Sequence, residues 1–281
     1  MSLARPAAPP LSPCYNPPMR RPLATAALAL SALLAVPATA QVPGDTVKVE
    51  PATAGKGSHL VVDLRSGEDP VAKGRAPQQA VIAAAQGFKF DTRARSERCS
   101  DEQAKAFNCP GNSKIGSGTA NATASNGVIS QAVVADVSIF LAPPAKSGDA
   151  GGAHVQFKER QSGAQGSIFG RIVKLGSGGQ FGLEVRFEDL SSANAAAPEG
   201  FTVRVDRLQV DVGASRKEKV TVCCRTIRKN GKKKKVKYKK NVRRDLIRNP
   251  LTCGGSWPYQ VRLRYSPTEE SVRDGSVACT K

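Results

Sequence analysis

The chain has 281 residues, with 42 Lys/Arg against 23 Asp/Glu, a formal net charge of +19 and two histidines. Two isolated histidines without H-E-x-x-H or similar spacing argue against a zinc centre, and neither a P-loop nor a G-x-S-x-G nucleophile elbow occurs. The positive charge is concentrated: 16 Lys/Arg and only two acids fall between Arg216 and Arg248, a local net charge of +14.

The chain begins with the parts of a cleavable export signal. Met19-Arg20-Arg21 supplies a positive start, Leu23 to Val36 a small apolar run, and Pro37-Ala38-Thr39-Ala40 an A-x-A end. The run is shorter than the roughly 20 residues that span a bilayer, so no transmembrane segment is expected. Pro22-Leu23 is a poor continuation of a twin-arginine signal, and no cysteine follows the cleavage site to carry a lipid. General secretion follows, with cleavage near Ala40 and a mature protein that is released or held in the cell envelope. Residues 1–18 read as an upstream extension or a mis-assigned start, 19–40 as the signal and 41–57 as a flexible lead-in.

Beyond the signal stand six cysteines: Cys99, Cys109, Cys223, Cys224, Cys253 and Cys279. An even number in an exported chain favours disulfides over metal binding or catalysis. Cys99 and Cys109 bracket a segment whose Ser100 and Gln103 form a capping-box pattern, which predicts one strapped helix. Cys253 and Cys279 bracket two strands and could tie down the C-terminus. Cys223 and Cys224 remain without an assigned partner.

Period-two alternation dominates residues 58–281. Ala153, Val155 and Phe157 alternate with His154 and Gln156; Phe181, Leu183, Val185 and Phe187 alternate with Gly182, Glu184 and Arg186; Tyr259, Val261, Leu263 and Tyr265 alternate with Gln260, Arg262 and Arg264. Such stretches are strands with one buried face, and a phase change at Arg207-Leu208 predicts a bulge. About a dozen strands with no recurrent long helices predict an all-β, antiparallel sandwich in one domain. On this pattern His154 lies on the solvated side of its strand, while Gly116-Ser117-Gly118 and Asp274-Gly275 read as turns. Long loops are expected over 142–152 and 191–200.

Gly87-Phe88-Lys89-Phe90-Asp91, the run Cys109-Pro110-Gly111-Asn112-Ser113-Lys114-Ile115-Gly116-Ser117-Gly118-Thr119-Ala120, and Asn249-Pro250-Leu251-Thr252-Cys253-Gly254-Gly255-Ser256-Trp257-Pro258-Tyr259 resemble a family of uncharacterised exported proteins of high-GC bacteria. The resemblance implies an all-β fold and the same compartment, and brings no activity with it. Gln86 stands where that family usually has proline.

Asn230-Gly231 signals a hairpin inside the basic segment 216–248, and loop length decides which residues share a face. A two-residue loop would set Val222 against Lys239 and Cys224 against Lys237. A three-residue loop, Lys229-Asn230-Gly231, pairs Val222 with Tyr238 and Cys224 with Val236, and is the expected one. Val220, Val222, Cys224, Val236, Tyr238 and Val242 then share a face. Lys217, Lys219, Arg225, Lys229, Lys233, Lys235, Lys237, Lys239 and Arg243 occupy the other, as candidate anion-binding residues. Like charges across a ladder repel, so this arrangement calls for an anionic partner, unless the lysines only guard an edge against aggregation. Export excludes cytoplasmic nucleic acid. Only Tyr238 is near enough to stack on a base, which weakens single-strand binding.

No catalytic constellation is visible, although scattered carboxylates (Asp63, Glu68, Glu184, Glu188) could pair in space. No cofactor or metal is expected. The sequence therefore predicts a non-enzymatic exported protein that binds an anionic envelope polymer through its hairpin. Two alternatives stand beside it: a carbohydrate-binding or carbohydrate-active sandwich using Trp257 and Tyr259, and an assembly protein docking on an acidic partner. For Trp257 itself the burial habits of large aromatics favour a core position beside the Cys253 bridge over a sugar-stacking surface.

Overall fold

The computed structural model describes residues 45–191, 197, 200–229 and 232–281; the signal and residues 1–18 lie outside them. In chain order the strands are β1 (Thr46–Glu50), β2 (Gly57–Leu64), β3 (Gln79–Ala85), β4 (Lys89–Phe90), β5 (Lys114–Ser125), β6 (Ser130–Ala142), β7 (Asp149–Glu159), β8 (Gln165–Lys174), β9 (Phe181–Phe187), β10 (Thr202–Val212), β11 (Ser215–Lys229), β12 (Lys232–Asp245), β13 (Ile247–Arg248), β14 (Ser256–Ser266) and β15 (Glu269–Ala278). One α-helix, α1 (Asp101–Lys105), lies between β4 and β5. The fold is all-β and antiparallel, as the alternation predicts. Thirteen strands form one sheet in the order β15-β14-β3-β9-β8-β7-β6-β5-β10-β2-β13-β4, with β1 paired to β2.

The sheet bends until its β15 edge meets β1, the strand that branches from β2. Thr53 bridges Thr280, the Ala54 N–H donates to Thr280 O at 2.9 Å, and the Thr280 N–H donates to Ala52 O at 2.8 Å. Closure of this kind hides edges that would otherwise pair with other chains. The halves of the sheet face each other across one apolar interior, as the layers of a sandwich do. Val62 and Val210 meet Val137, Leu141 and Val155 there, together with Val261, Leu263 and Tyr265. Of these, Val155, Val261, Leu263 and Tyr265 are positions that the period of two assigned to the buried face of β7 and β14.

Several local expectations change. The lead-in is not free chain: β1 pairs residue by residue with β2, from Thr46 opposite Asp63 to Glu50 opposite His59. Asn249 clamps the next turn, accepting from Ser58 Oγ at 2.6 Å and donating to Pro51 O and Thr53 O at 2.8 Å each. The Asn249-Pro250 segment of the family-like motif is thus a structural tie. Gly116 and Gly118 lie within β5 rather than in a turn. There a Cβ at Gly118 would overlap the Gln209 carbonyl oxygen, so close strand approach, not flexibility, requires glycine. Asp274-Gly275 belongs to β15, where the Tyr259 ring covers Gly275. The loop after β6 is shorter than expected, because β7 begins at Asp149. Residues 192–196, 198 and 199 of the second expected loop lie outside the described residues. The expected bulge in β10 is present, with the register shifting between Val205 and Arg207.

Both local disulfides form as expected, Cys99–Cys109 and Cys253–Cys279. Each closes a loop worth about 3 kcal/mol of unfolded-state entropy. The capping box is complete: Ser100 Oγ accepts from the Gln103 N–H, and the Gln103 side chain accepts from the Ser100 N–H.

The strapped helix covers a patch of the outer sheet face and buries His154, which the alternation had placed in solvent. His154 is 4 % exposed, 5.1 Å from the Phe169 ring, and neighbouring Gln156 donates to Ala104 O at 2.9 Å. Its Nε2 stands 3.1 Å from Asp101 Oδ1, within ion-pair distance but without the alignment of a hydrogen bond. Burial holds its pKa below the ordinary 6.5, outweighing the opposing pull of Asp101. Because the unfolded chain binds the proton more readily, the stability from neutral His154 is complete above the ordinary value and is lost as pH falls through the depressed one. The protection of the α1 amides against hydrogen exchange, measured relative to the intrinsic rate at each pH, should therefore fall in wild type as pH drops below about 6.5. His154→Gln should flatten that dependence; unchanged pH dependence in the variant would refute the assignment.

Candidate functional site: the basic ribbon

The basic segment forms a two-stranded sheet of its own, β11 with β12, outside the main sheet. At 15 and 14 residues its strands make a ribbon on the order of 45 Å long. Isolated hairpins are marginal in water, so the anchoring of this one matters. At its base the Leu246 side chain is fully buried, the Leu246 N–H donates to Ala214 O at 2.8 Å, and the Asp91 N–H donates to Leu246 O at 2.9 Å. Arg244 adds ion pairs to Glu218 at 3.1 Å and Asp91 at 3.8 Å. Burial alone would raise the Asp91 pKa, but hydrogen bonds from Arg93 and the charges of Arg93 and Arg244 hold it below the usual carboxylate value.

The register combines the two loop lengths weighed from sequence. In the basal half Val222 pairs with Tyr238, as the three-residue loop requires. In the distal half Arg225 pairs with Val236 and Lys229 with Lys232, which leaves only Asn230 and Gly231 between the strands; both lie outside the described residues. The extra residue is absorbed by a bulge, since the register shifts between Val222 and Arg225, where Cys223 and Cys224 are disulfide-bonded to each other. The expected pairing of Cys224 with Val236 is therefore not made, and the vicinal pair answers the question of their partner.

The bulge redistributes the charges. Lys217, Lys219, Lys233, Lys235, Lys237, Lys239 and Arg243 keep to one face of the ladder, as expected. Arg225 and Lys229 take ladder positions on the other side, with Val236 and Lys232, while Arg228 joins the basic face opposite Lys233. Val220, Val222, Val236, Tyr238 and Val242 share the remaining face. Like charges stand directly opposite each other at Arg216/Arg244, Lys217/Arg243 and Arg228/Lys233, an arrangement that destabilises an antiparallel pair. Lys233, Lys235, Lys237 and Lys239 are exposed, and among the described residues none of the four forms an ion pair. Arg243 is the exception on this face, bound to Asp245 at 2.6 Å.

The other sequence candidates are engaged elsewhere. Trp257 is 4 % exposed, meets Phe88 edge-to-face at 5.4 Å and donates through Nε1 to Thr252 O at 3.1 Å. Tyr259 is buried beside it, so the aromatic platform of the carbohydrate alternative is part of the core. The scattered carboxylates are each held by arginine: Asp63 by Arg207, Glu68 by Arg65, Glu184 by Arg186 and Arg262, and Glu188 by Arg171.

Among the described residues, no group of three or more His, Cys, Asp or Glu is placed to hold a metal ion, and no helix is long and apolar enough to cross a membrane. No family model, curated protein or solved structure matches this chain.

Proposed function

We propose that this chain is an exported, non-enzymatic protein that binds an anionic polymer of the cell envelope through the basic face of the β11–β12 ribbon. One observation carries the reading: an anchored ribbon holds Lys233, Lys235, Lys237 and Lys239 exposed, beside like-charged neighbours and, among the described residues, without ion pairs. Edge protection needs only a few lysines on an edge strand, and the ribbon carries far more positive charge than that. A polyanion relieves the repulsion along the whole face at once. Export is read from residues 19–40, and the three disulfides are compatible with an oxidising compartment.

The test is sedimentation of the oxidised protein with purified cell envelope at low and high salt, beside a variant carrying Lys233→Gln, Lys235→Gln, Lys237→Gln and Lys239→Gln. Binding that weakens with salt and is lost in the variant is the expected result. Equal binding by both proteins, or none by either, would reduce the ribbon to a protected edge. Pre-treating the envelope with protease separates a polymer from the acidic protein partner of the alternative reading.

A further inference from the structure

We propose that the interior of the sandwich is a binding site for a small, uncharged apolar molecule, of the size of a single aromatic ring or a short alkyl segment. The site goes beyond the ribbon and rests on different residues. Between the halves of the sheet lies a cavity of about 170 Å³ whose walls come from strands all round the molecule. Protein interiors are ordinarily packed like organic crystals, with few voids larger than a water molecule, so an opening of this size is a departure from normal packing.

Its origin is visible in the lining residues. Leu60, Ile82, Leu183, Val185, Leu208 and Val212 belong to the inner apolar set yet are only partly buried. All six line the cavity. Two further wall positions, Ala84 and Ala153, carry a single methyl group where a larger side chain could have filled the space.

The chemistry of the walls selects the occupant. The lining is almost wholly carbon. The polar groups among the lining residues are engaged or turned aside: His59 has its Nδ1 3.1 Å from Asp211 Oδ1 on an exposed pair, the Trp257 N–H is spent on Thr252 O, and the Tyr259 hydroxyl lies over Gly275. Ordered water needs two to four polar partners, which these walls do not supply. An apolar cavity of about 150 Å³ lined by similar residues stays dry and takes up benzene or xenon, which sets the scale of the ligand here. A hydroxyl or carboxylate on the same ligand would enter without a hydrogen-bond partner, so the site rejects polar analogues.

The experiment uses the full chain with its disulfides formed, and benzene, xenon and phenol as probes. Thermal unfolding and methyl NMR are followed for wild type and for Ala153→Leu, which places three more carbons in the cavity. Benzene and xenon should saturate, raise Tm by mass action and shift the Val155, Ile172 and Val185 methyl signals, and phenol should do much less. Ala153→Leu should keep the wild-type Tm or exceed it and lose the benzene response. If that variant does not fold, Val185→Ile makes the same comparison with one added carbon and should weaken the response. No benzene response in wild type would overturn the proposal. So would a response that survives both fillings, or phenol binding as well as benzene. None of these outcomes depends on the ribbon lysines.

Discussion

Replacing Arg273 by Met is expected to remove about 3–5 kcal/mol of folding stability, the cost of leaving buried charge without its partner. Arg273 is 3 % exposed, and its guanidinium reaches Asp45 Oδ2 and Asp69 Oδ2 at 2.6 Å each. The remaining oxygens are also occupied: Asp45 Oδ1 accepts from the Arg65 N–H at 2.6 Å, Asp69 Oδ1 from the Val71 N–H at 2.9 Å, and Tyr265 donates to Asp69 Oδ2 at 2.9 Å. The cluster ties the chain segment just before β1 and the turn after β2 to β14 and β15, across the place where the sheet closes. Methionine fills similar volume, so the loss reads the uncompensated carboxylates rather than a hole. A Tm fall on the order of 10 °C is expected for a domain of this size.

The triple variant Arg273→Met, Asp45→Asn, Asp69→Asn should recover part of that loss, because it removes the buried charges as well. The pH dependence gives a second reading. Burial alone would raise the Asp69 pKa, but hydrogen bonds from Arg273, Ser271, the Val71 N–H and Tyr265 hold it below its ordinary 3.8. A depressed carboxylate contributes stability above its ordinary value and loses it as pH falls through the folded-state value. Wild type should therefore lose the Asp69 contribution only below about pH 4, and the gap to Arg273→Met should narrow with falling pH as Asp69, buried without its guanidinium, takes up a proton more readily than in wild type. A variant as stable as wild type at pH 7 would show that the cluster contributes nothing.

The second large effect is on binding. Each lysine that neutralises a phosphate releases roughly 0.7–0.9 of a counterion, so removing four should lower the slope of log affinity against log salt by about 3 to 3.6. With long-chain polyphosphate as the probe, wild type should lose about 100-fold more affinity than the four-lysine variant between about 50 and 200 mM salt. The stability change should run the other way. The four side chains are exposed, and Lys233 faces Arg228, so glutamine relieves repulsion and Tm should hold or rise slightly. Equal salt slopes would exclude these lysines from the contact, and a fall in Tm would show that they serve the fold.

Local signals were legible in the residues themselves. The capping box at Ser100 and Gln103 needs only residues three apart, and the helix forms where they stand. The alternation in β7, β9 and β14 is carried by side chains two apart, and the strands and the all-β class follow from it. The vicinal Cys223–Cys224 bond could have been found by elimination once the two other pairs were taken as settled. The burial of His154 could not. It depends on α1, some fifty residues earlier, folding onto the outer face of β7, and no periodicity within β7 reports a second layer.

The ribbon marks the boundary between the two kinds of information. Charge count and hairpin position were legible in composition and in Asn230-Gly231, and the pairing of Val222 with Tyr238 in the need to keep apolar residues on one face. The site of the extra residue was not, since a bulge at Cys223-Cys224 and a three-residue loop give the same basal register and differ only toward the tip. That difference moves Arg225 and Lys229 away from the basic face and brings Arg228 onto it. By itself, then, the sequence determined the all-β class, the strapped helix, the two local disulfides and the concentration of charge, because each depends on residues close along the chain. Only the tertiary structure decided the closing of the sheet at Thr53 and Thr280, the burial of His154, the Asp45–Arg273–Asp69 cluster and the unfilled interior. Each of these joins segments tens to hundreds of residues apart, and side-chain spacing within a strand carries no record of what lies across the sheet.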